Sequence, residues 1–238
     1  MRIDVIDAPD AERPARPAAT LVLLRDRRDE LEVLMIHRGA ETAFGGMWAF
    51  PGGVIEDDDI PSGTEPDPIP AARHAATRET EEELGLQVDP GSLVWWSHWV
   101  PPGRNAMSGK RYSTWFFVAP ADGRHDDPAV DGYEVHDHRW VAPAVALGMQ
   151  ERGEILIAPP TYVTLSQLGR YGDVASALSA ADPRFFATRL VIDGGLRLCL
   201  WDGDVAYEGG DHAAAGPRHR LAMDDTNGWR YLNTTGRT

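Results

Sequence analysis

The most constraining feature of this chain is an acidic segment, residues 78–86, which reads RETEEELGL and holds four glutamates in nine residues. On an α-helix, residues spaced i, i+3 and i+4 lie on one side. Glu79, Glu82 and Glu83 therefore share a face, while the fourth glutamate points elsewhere. Their carboxylates repel one another, and the first residue of the segment, an arginine, is its only positively charged side chain. The pattern has two interpretations: an exposed acidic face tolerated by water, or a site for a divalent cation.

A glycine pair upstream favours the cation site. Residues 50–53 read FPGG, and glycine lets the backbone turn sharply and approach a ligand because it lacks a Cβ. A loop of this kind ahead of an acidic helix builds a pocket from two directions. Ligands that are all oxygen suit magnesium or manganese. The sequence therefore predicts a Mg²⁺ or Mn²⁺ site between the glycines and the helix.

Together these residues resemble the Nudix box, whose family pattern is G-x5-E-x7-R-E-U-x-E-E-x-G-U, with U a bulky apolar residue. Gly53 matches the first glycine, and Glu56 matches the acid that is usual in the GGxxE variant. The second half of the pattern is matched in register by Arg78, Glu79, Glu82, Glu83, Gly85 and Leu86.

The chain departs from that pattern at three places. Asp59 stands where the first half has a glutamate, and Thr80 stands at an apolar position. Residues 60–77, eighteen in all, separate the two halves where the pattern has seven. An interrupted box of this kind resembles the Nudix branch related to coenzyme A diphosphatases. The similarity to that branch extends over roughly residues 18–180.

The resemblance implies a metal-dependent hydrolase, a pyrophosphatase that cleaves a nucleoside diphosphate linked to another moiety, with coenzyme A or acyl-coenzyme A as one option. The implied metal ligands are Glu79, Glu82, Glu83 and the carbonyl of Gly52. The implied catalytic residues are Arg78, which orients the carboxylates, with Glu79 and Glu82. Glu134 is a second candidate for the general base, although a surface acid at a strand end is its more ordinary interpretation.

Substrate phosphates need local cations in a chain whose formal net charge is -14. Arg38 and Arg111 are the predicted substrate-binding residues, with Arg104 and Lys110 as further candidates for the 3′-phosphate of coenzyme A. These residues precede or follow the apolar runs of the predicted strands. For Arg111, a surface position at a strand end is an equally good interpretation.

Strand and helix signals are mixed along the chain, which predicts an α/β or α+β class with a mixed sheet. The resemblance adds a Nudix fold, in which that sheet lies between helices, here with extra C-terminal helices and short strands. Residues 1–17 are expected to be a flexible arm, and residues 18–238 a single domain with a C-terminal elaboration from about 153. An exposed proline-rich loop over 60–70 is expected to precede a helix over 71–84.

The charge and composition restrict partners and location. The net charge of -14 repels a phosphate backbone, so nucleic-acid binding is disfavoured. No segment approaches the roughly 20 apolar residues of a membrane span, and the acidic N-terminal segment does not resemble a secretory signal. With the single cysteine Cys199, this predicts a cytoplasmic protein. The oligomeric state stays open, with a homodimer as one option.

A different functional class is a Nudix-fold ligand sensor or regulator that has lost catalysis, in some cases joined to a DNA-binding winged helix. Residues 153–238 hold eight arginines, no lysine and ten acids, a balance of -2, and no basic recognition helix. The complete set of three glutamates also favours an enzyme over a sensor.

Overall fold

The computed structural model describes residues 4–6, 15–42, 44–61, 67–103, 111–125, 128–130 and 132–236. The chain divides into two compact units. The larger unit consists of Arg16–His98 and Tyr112–Arg184, and the smaller unit of Met1–Ala15, Trp99–Arg111 and Phe185–Thr238. None of the described helices is both long enough and apolar enough to span a membrane.

The described residues form strands and helices in a mixed order. The strands are β1 (Asp4–Ile6), β2 (Arg16–Arg27), β3 (Glu30–Arg38), β4 (Trp48–Ala49), β5 (Gly52–Val54), β6 (Val94–Val100), β7 (Tyr112–Pro120), β8 (Val135–Val141), β9 (Arg184–Ala187), β10 (Arg189–Asp193), β11 (Leu196–Leu200), β12 (His219–Asp224) and β13 (Gly228–Asn233). The α-helices are α1 (Pro68–Leu84), α2 (Pro143–Glu151), α3 (Pro159–Leu168) and α4 (Val174–Ser179). Short 3-10 helices cover Asp57–Asp59, Pro90–Ser92 and Gly123–His125.

A mixed sheet forms the centre of the larger unit, with the strand order β4-β3-β2-β7-β6; β5 also pairs with β2, and β8 with β3. β2 runs parallel to β7 and antiparallel to β3 and β5. Leu21 and Leu23 of β2 pack with alanines of α1, and Val22 and Leu24, which point to the opposite face, are equally buried. Helices α1, α2 and α4 contact the sheet. The predicted mixed sheet between helices is confirmed.

Helix α1 begins three residues earlier than predicted, at Pro68 instead of Ala71. Asp67 caps its first turn by accepting a backbone N–H at 2.9 Å. The sequence-based boundary was wrong because residues 68–70 read as loop, whereas proline is accepted in a first turn, where its missing N–H has no helical partner. Residues 62–66 of the predicted loop lie outside the described residues. The helix ends where predicted, at Gly85 in the left-handed conformation with φ 66°.

The smaller unit contains an antiparallel sheet with the order β1-β10-β11-β12-β13. Trp99 and Phe186 stack with ring centroids 3.8 Å apart, and Trp201 meets both rings edge-on. Asp204 and Arg220 form a buried ion pair. The sequence predicted short strands here but not their order in one sheet.

The N-terminal segment differs from the flexible arm that was predicted for residues 1–17. Asp4–Ile6 pairs with β10 as an edge strand, and Arg16 and Pro17 belong to β2. The backbone of Arg16 and Pro17 lies beside β7, so their polar and proline character did not mark the end of an arm. The rest of residues 1–14 lies outside the described part of the chain. A single domain over 18–238 stays a prediction.

Candidate active site

The acidic face of α1 meets the strand that carries the glycine pair. The side chains of Glu79 and Glu83 are 14% and 2% exposed, whereas that of Glu82 is 59% exposed. Glu81 lies apart from them, and its carboxylate accepts a hydrogen bond from Gln87 at 2.8 Å. The helix thus brings the three predicted glutamates to one side, as their spacing requires.

Arg78 connects this helix face to two other segments. Its Nε and Nη2 donate to the two carboxylate oxygens of Asp59 at 3.0 and 2.9 Å, and Nη2 also donates to the carbonyl of Val54 at 2.9 Å. Its Nη1 donates to Glu79 at 3.0 Å and to Glu82 at 3.1 Å. These five hydrogen bonds use all five N–H groups of the guanidinium. The hydrogen bond to Asp59, followed by the nearby carboxylate charges, raises the pKa of Arg78.

Asp59, the shorter acid of the first half of the box, is 5% exposed and ends the 3-10 helix Asp57–Asp59. It also accepts the backbone N–H of Glu56 at 2.9 Å. Burial raises the pKa of Asp59, but hydrogen bonds from Arg78 and Glu56 outweigh burial and hold that pKa below its usual value. An aspartate therefore reaches the arginine of the second half, despite the eighteen residues that separate the two halves.

Different contacts exclude a side chain at each of the two glycines. Gly52 has φ 152°, and a Cβ there would lie 2.3 Å from the carbonyl oxygen of Ala19 on β2. A Cβ at Gly53 would lie 2.2–2.4 Å from the carboxylate atoms of Glu79. Gly52 is required by the backbone of the sheet, whereas Gly53 makes room for a glutamate of the box.

Glu83 is held by groups far from it in sequence. Gly52 donates its N–H to one carboxylate oxygen at 3.0 Å, and Arg38 Nη1 donates to the other at 2.9 Å. Arg38 Nη1 also lies 3.3 Å from the carbonyl oxygen of Gly52. Burial outweighs Arg38 and the backbone N–H, and raises the pKa of Glu83 to about 7. Arg38, predicted to bind substrate, thus contacts two predicted metal ligands. Arg38 and Glu83 are 45 positions apart in the sequence, so no local spacing indicated this contact.

Glu134, the second candidate for the general base, lies just before β8. Its backbone carbonyl accepts the N–H of Gly39 at 2.8 Å. Burial is the largest cause of the raised pKa of Glu79, and the charges of Glu82 and Glu134 raise it further. The charge of Glu134 therefore acts on the same site as the box glutamates.

Whether a divalent cation fits among the box glutamates is judged from the chemistry of their oxygen atoms. Among the residues that the structure describes, no three His, Cys, Asp or Glu side chains converge on one metal position. Glu79 and Glu82 instead contact Arg78. Burial and then neighbouring carboxylate charge raise the pKa of Glu79, and the charge of Glu79 also contributes to the raised pKa of Glu83. A cluster of oxygen ligands that oppose one another's ionisation is chemically suited to a hard cation.

The remaining predicted substrate residues belong to other parts of the chain. Arg111 lies in the smaller unit and is 8% exposed. Arg104 and Lys110 lie outside the described residues. Trp96 and Trp99 are buried, and Trp95 packs against the core of the larger unit.

Comparison with known proteins identifies the family. A family model for the NUDIX domain matches residues 14–159, more than half of the chain. The chain belongs to the Nudix family. A crystal structure of a NUDIX hydrolase from Alicyclobacillus acidocaldarius has a TM-score of 0.62 and 25% identity, covering 72% of this chain and 99% of that one.

A curated relative of this Nudix protein is the acyl-coenzyme A diphosphatase NUDT19 of Gallus gallus, 30% identical over 94 residues. The match covers 39% of this chain and 25% of that protein, so this chain spans about a quarter of the relative's length. The predicted Nudix membership is confirmed, and this relative agrees with the branch that the interrupted box resembles. Nudix hydrolases generally need divalent metal ions.

The raised pKa of Glu83 predicts a pH-dependent stability in the presence of a chelator. A carboxyl with a pKa near 7 in the folded state and 4.5 in the unfolded state binds its proton more tightly when folded. Its contribution to the free energy of unfolding is therefore fully present below pH 4.5 and is lost as the pH rises through 7. We measure this free energy by urea unfolding at pH 5 and at pH 8. We expect its decrease over that range to be larger in the wild type than in Glu83→Gln by about 3 kcal/mol.

Glu81→Gln is the matched control, because Glu81 is exposed, and it should keep the wild-type slope. Equal slopes in the wild type and Glu83→Gln would contradict the assignment of this titration to Glu83.

The two glycines should respond differently to an added methyl group. In Gly52→Ala the Cβ meets the backbone of β2 at an unfavourable φ, so we expect a loss of about 2 kcal/mol or more in unfolding free energy. In Gly53→Ala the three nearest atoms to the Cβ belong to the carboxylate at the end of the Glu79 side chain, which can move. We therefore expect a loss below about 1 kcal/mol in unfolding free energy, together with weaker Mn²⁺ binding. Urea unfolding and Mn²⁺ titration of both variants test this, and equal destabilisation of the two would contradict it.

Proposed function

We propose that this Nudix protein is a hydrolase that uses Mg²⁺ or Mn²⁺ to cleave the pyrophosphate bond of a nucleoside diphosphate linked to another moiety. One observation carries the proposal: the two halves of the interrupted box meet, with Arg78 bonded to Asp59, Glu79 and Glu82. The family match and the NUDIX hydrolase neighbour support an enzyme of this class.

The cation would be held by the carboxylates of Glu79, Glu82 and Glu83 and by the carbonyl of Gly52. When bound, it neutralises charge on phosphate oxygens and makes a water molecule more acidic. Arg78 orients Glu79 and Glu82 from one side, since a single Nη1 contacts both carboxylates. The backbone N–H of Gly52 orients Glu83 from the other side.

The proton of the attacking water needs a carboxylate acceptor. Glu79 is favoured, because burial and neighbouring charges raise its pKa and its hydrogen bond to Arg78 uses Oε1. Glu83 also has a raised pKa, but both of its carboxylate oxygens already accept hydrogen bonds from Arg38 and Gly52. Glu134 is the alternative acceptor. The water oxygen bonds to one phosphorus, the bond from that phosphorus to the bridging oxygen breaks, and the bridging oxygen leaves on the other phosphate.

We propose coenzyme A or acyl-coenzyme A as the substrate. The support is the similarity to the acyl-coenzyme A diphosphatase of Gallus gallus, together with the insertion between the halves of the box. Hydrolysis would give 3′,5′-ADP and a phosphopantetheine. We also propose a cytoplasmic location, since the single cysteine, buried Cys199, fits a reducing compartment.

A ligand sensor without catalysis is the competing function. It is favoured by one observation: Arg38 and Arg78 contact the carboxylates that a metal ion would use. Against it, all three box glutamates are present, and in its described residues the C-terminal part of the smaller unit forms strands with no recognition helix. Turnover measurements separate the two functions.

If the box glutamates hold the catalytic cation, Glu82→Gln and Glu83→Gln should each lower turnover by about 100-fold or more while folding is retained. Turnover is measured with saturating Mg²⁺ and with Mn²⁺ on a set of nucleoside diphosphate compounds, with products identified by mass. Glu81→Gln is the matched control on the same helix, and its turnover should stay at the wild-type value. Wild-type turnover in all three variants would contradict the assignment of Glu82 and Glu83 to the catalytic cation. If the wild type turns over none of the compounds, the sensor function is favoured.

If coenzyme A is the substrate, the specificity constant should be higher for coenzyme A than for its 3′-dephospho form. One charge-assisted contact to the 3′-phosphate contributes about 1.5–3 kcal/mol, a factor of about 10 to 150. Equal constants for the two forms, or faster cleavage of NADH or ADP-ribose, would exclude coenzyme A but not the Nudix reaction.

A further inference from the structure

Both backbone polar groups of Arg38, the last residue of β3, are hydrogen-bonded to the loop that follows this strand. Its N–H donates to the carbonyl of Met47 at 3.0 Å, and its carbonyl accepts the N–H of Gly46 at 2.9 Å. The pairing of β3 with β8 shifts register between His37 and Arg38. Such an irregularity changes the direction in which a side chain points, and it recurs beside active sites. The start of the Arg38 side chain is therefore fixed by the sheet and by the loop after it.

The end of the same side chain is fixed by the box. Arg38 Nη1 donates to Glu83 at 2.9 Å and lies 3.3 Å from the carbonyl of Gly52, while the N–H of Gly52 donates to the second oxygen of Glu83. The side chains of Arg38 and Glu83 are 11% and 2% exposed. These contacts form a closed triangle of arginine, carboxylate and backbone.

The triangle leaves ligand positions open. A carboxylate has about four lone-pair sites and a carbonyl oxygen has two. Each contact described for Glu83 and for the carbonyl of Gly52 occupies one site, so each oxygen can still bind a cation. The positive charge of Arg38 opposes a cation, whereas its N–H donor fixes the direction of both predicted ligands. These two effects change metal affinity in opposite directions, which makes them separable by experiment.

We propose that Arg38 is a positioning residue of the cation site, which holds the carboxylate of Glu83 and the carbonyl of Gly52 in the orientation that binds the metal. This inference rests on the proposed function. It gives Arg38 a role through the metal ligands in place of the substrate contact that the sequence predicted.

Arg25 is a matched control in the same pair of strands. Its side chain is also 11% exposed, pairs with Glu32 at 2.7 Å and lies over the ring of Trp140 at 4.3 Å. It has the same charge, burial and kind of partner as Arg38, but none of the contacts described for it involves the box. A general loss of stability from removing a largely buried arginine would appear in both variants.

The test is Mn²⁺ binding to the full chain, monitored through the electron paramagnetic resonance signal of free Mn²⁺. We expect Arg38→Met to bind Mn²⁺ about 10- to 100-fold more weakly, the usual effect of losing a partner that orients a metal ligand. Arg38→Gln should recover part of the affinity because its amide can donate to Glu83, and Arg25→Met should bind as the wild type does. Affinity in Arg38→Met equal to or tighter than wild type overturns the proposal.

Two further readouts decide the remaining cases. If Arg38→Met does not unfold cooperatively, Arg38→Gln alone decides: affinity between wild type and Glu83→Gln supports the proposal, and wild-type affinity overturns it. At saturating Mn²⁺, we expect the KM of Arg38→Gln for the nucleotide substrate to be unchanged; a raised KM with unchanged Mn²⁺ affinity would overturn positioning in favour of a substrate contact.

The wild type and Glu83→Gln separate failure of this inference from failure of the proposed function. A wild type that binds no Mn²⁺ through Glu83 overturns both. Binding that is lost in Glu83→Gln but kept in Arg38→Met overturns only the role of Arg38.

Discussion

The arrangement of the box depends on the guanidinium of Arg78. Its five N–H groups bind a 3-10 helix, a strand carbonyl and two glutamates of its own helix. The fork onto buried Asp59 is bidentate, a geometry that fixes direction as well as distance. Arg78 therefore links β5 to α1, together with the hydrogen bond from Gly52 to Glu83, and these contacts place the glutamates of the helix beside the glycine pair.

Charge on the acidic face of the helix is balanced by one arginine of the helix and one arginine outside it. Within the helix only Arg78 faces the glutamates, and the most buried one, Glu83, is met by Arg38 from β3. Even so, burial raises the pKa of Glu83 to about 7. The ion pair with Arg38 therefore offsets only part of the free-energy cost of removing the Glu83 carboxylate from water. The candidate site combines the buried carboxylates of Glu79 and Glu83 with arginines that hold them in place, so ligands of the proposed cation are ordered before it binds.

Features set by local geometry could be predicted from the sequence, and features set by distant contacts could not. The shared face of Glu79, Glu82 and Glu83 follows from the helical period, and the end of α1 follows from a glycine in the left-handed conformation. The contact of Arg38 with Glu83 depends on how β3 lies against α1. The antiparallel sheet of the smaller unit joins β1 to strands almost 190 residues later in the chain, as in the pair Asp4 and Ile192, and short-range pattern carries no information about such pairing.

The insertion between the halves of the box is anchored at both ends. Asp59 is bonded to Arg78 before it, and Asp67 caps α1 after it. Closing a longer flexible segment between fixed ends costs only about 0.6 kcal/mol for each doubling of its length. A gene can therefore gain or lose in-frame codons between these anchors without displacing the glutamates. Descendants of one ancestor would then keep the same active-site geometry while the distance between the two halves drifts, and a search pattern with a fixed gap would pass over them.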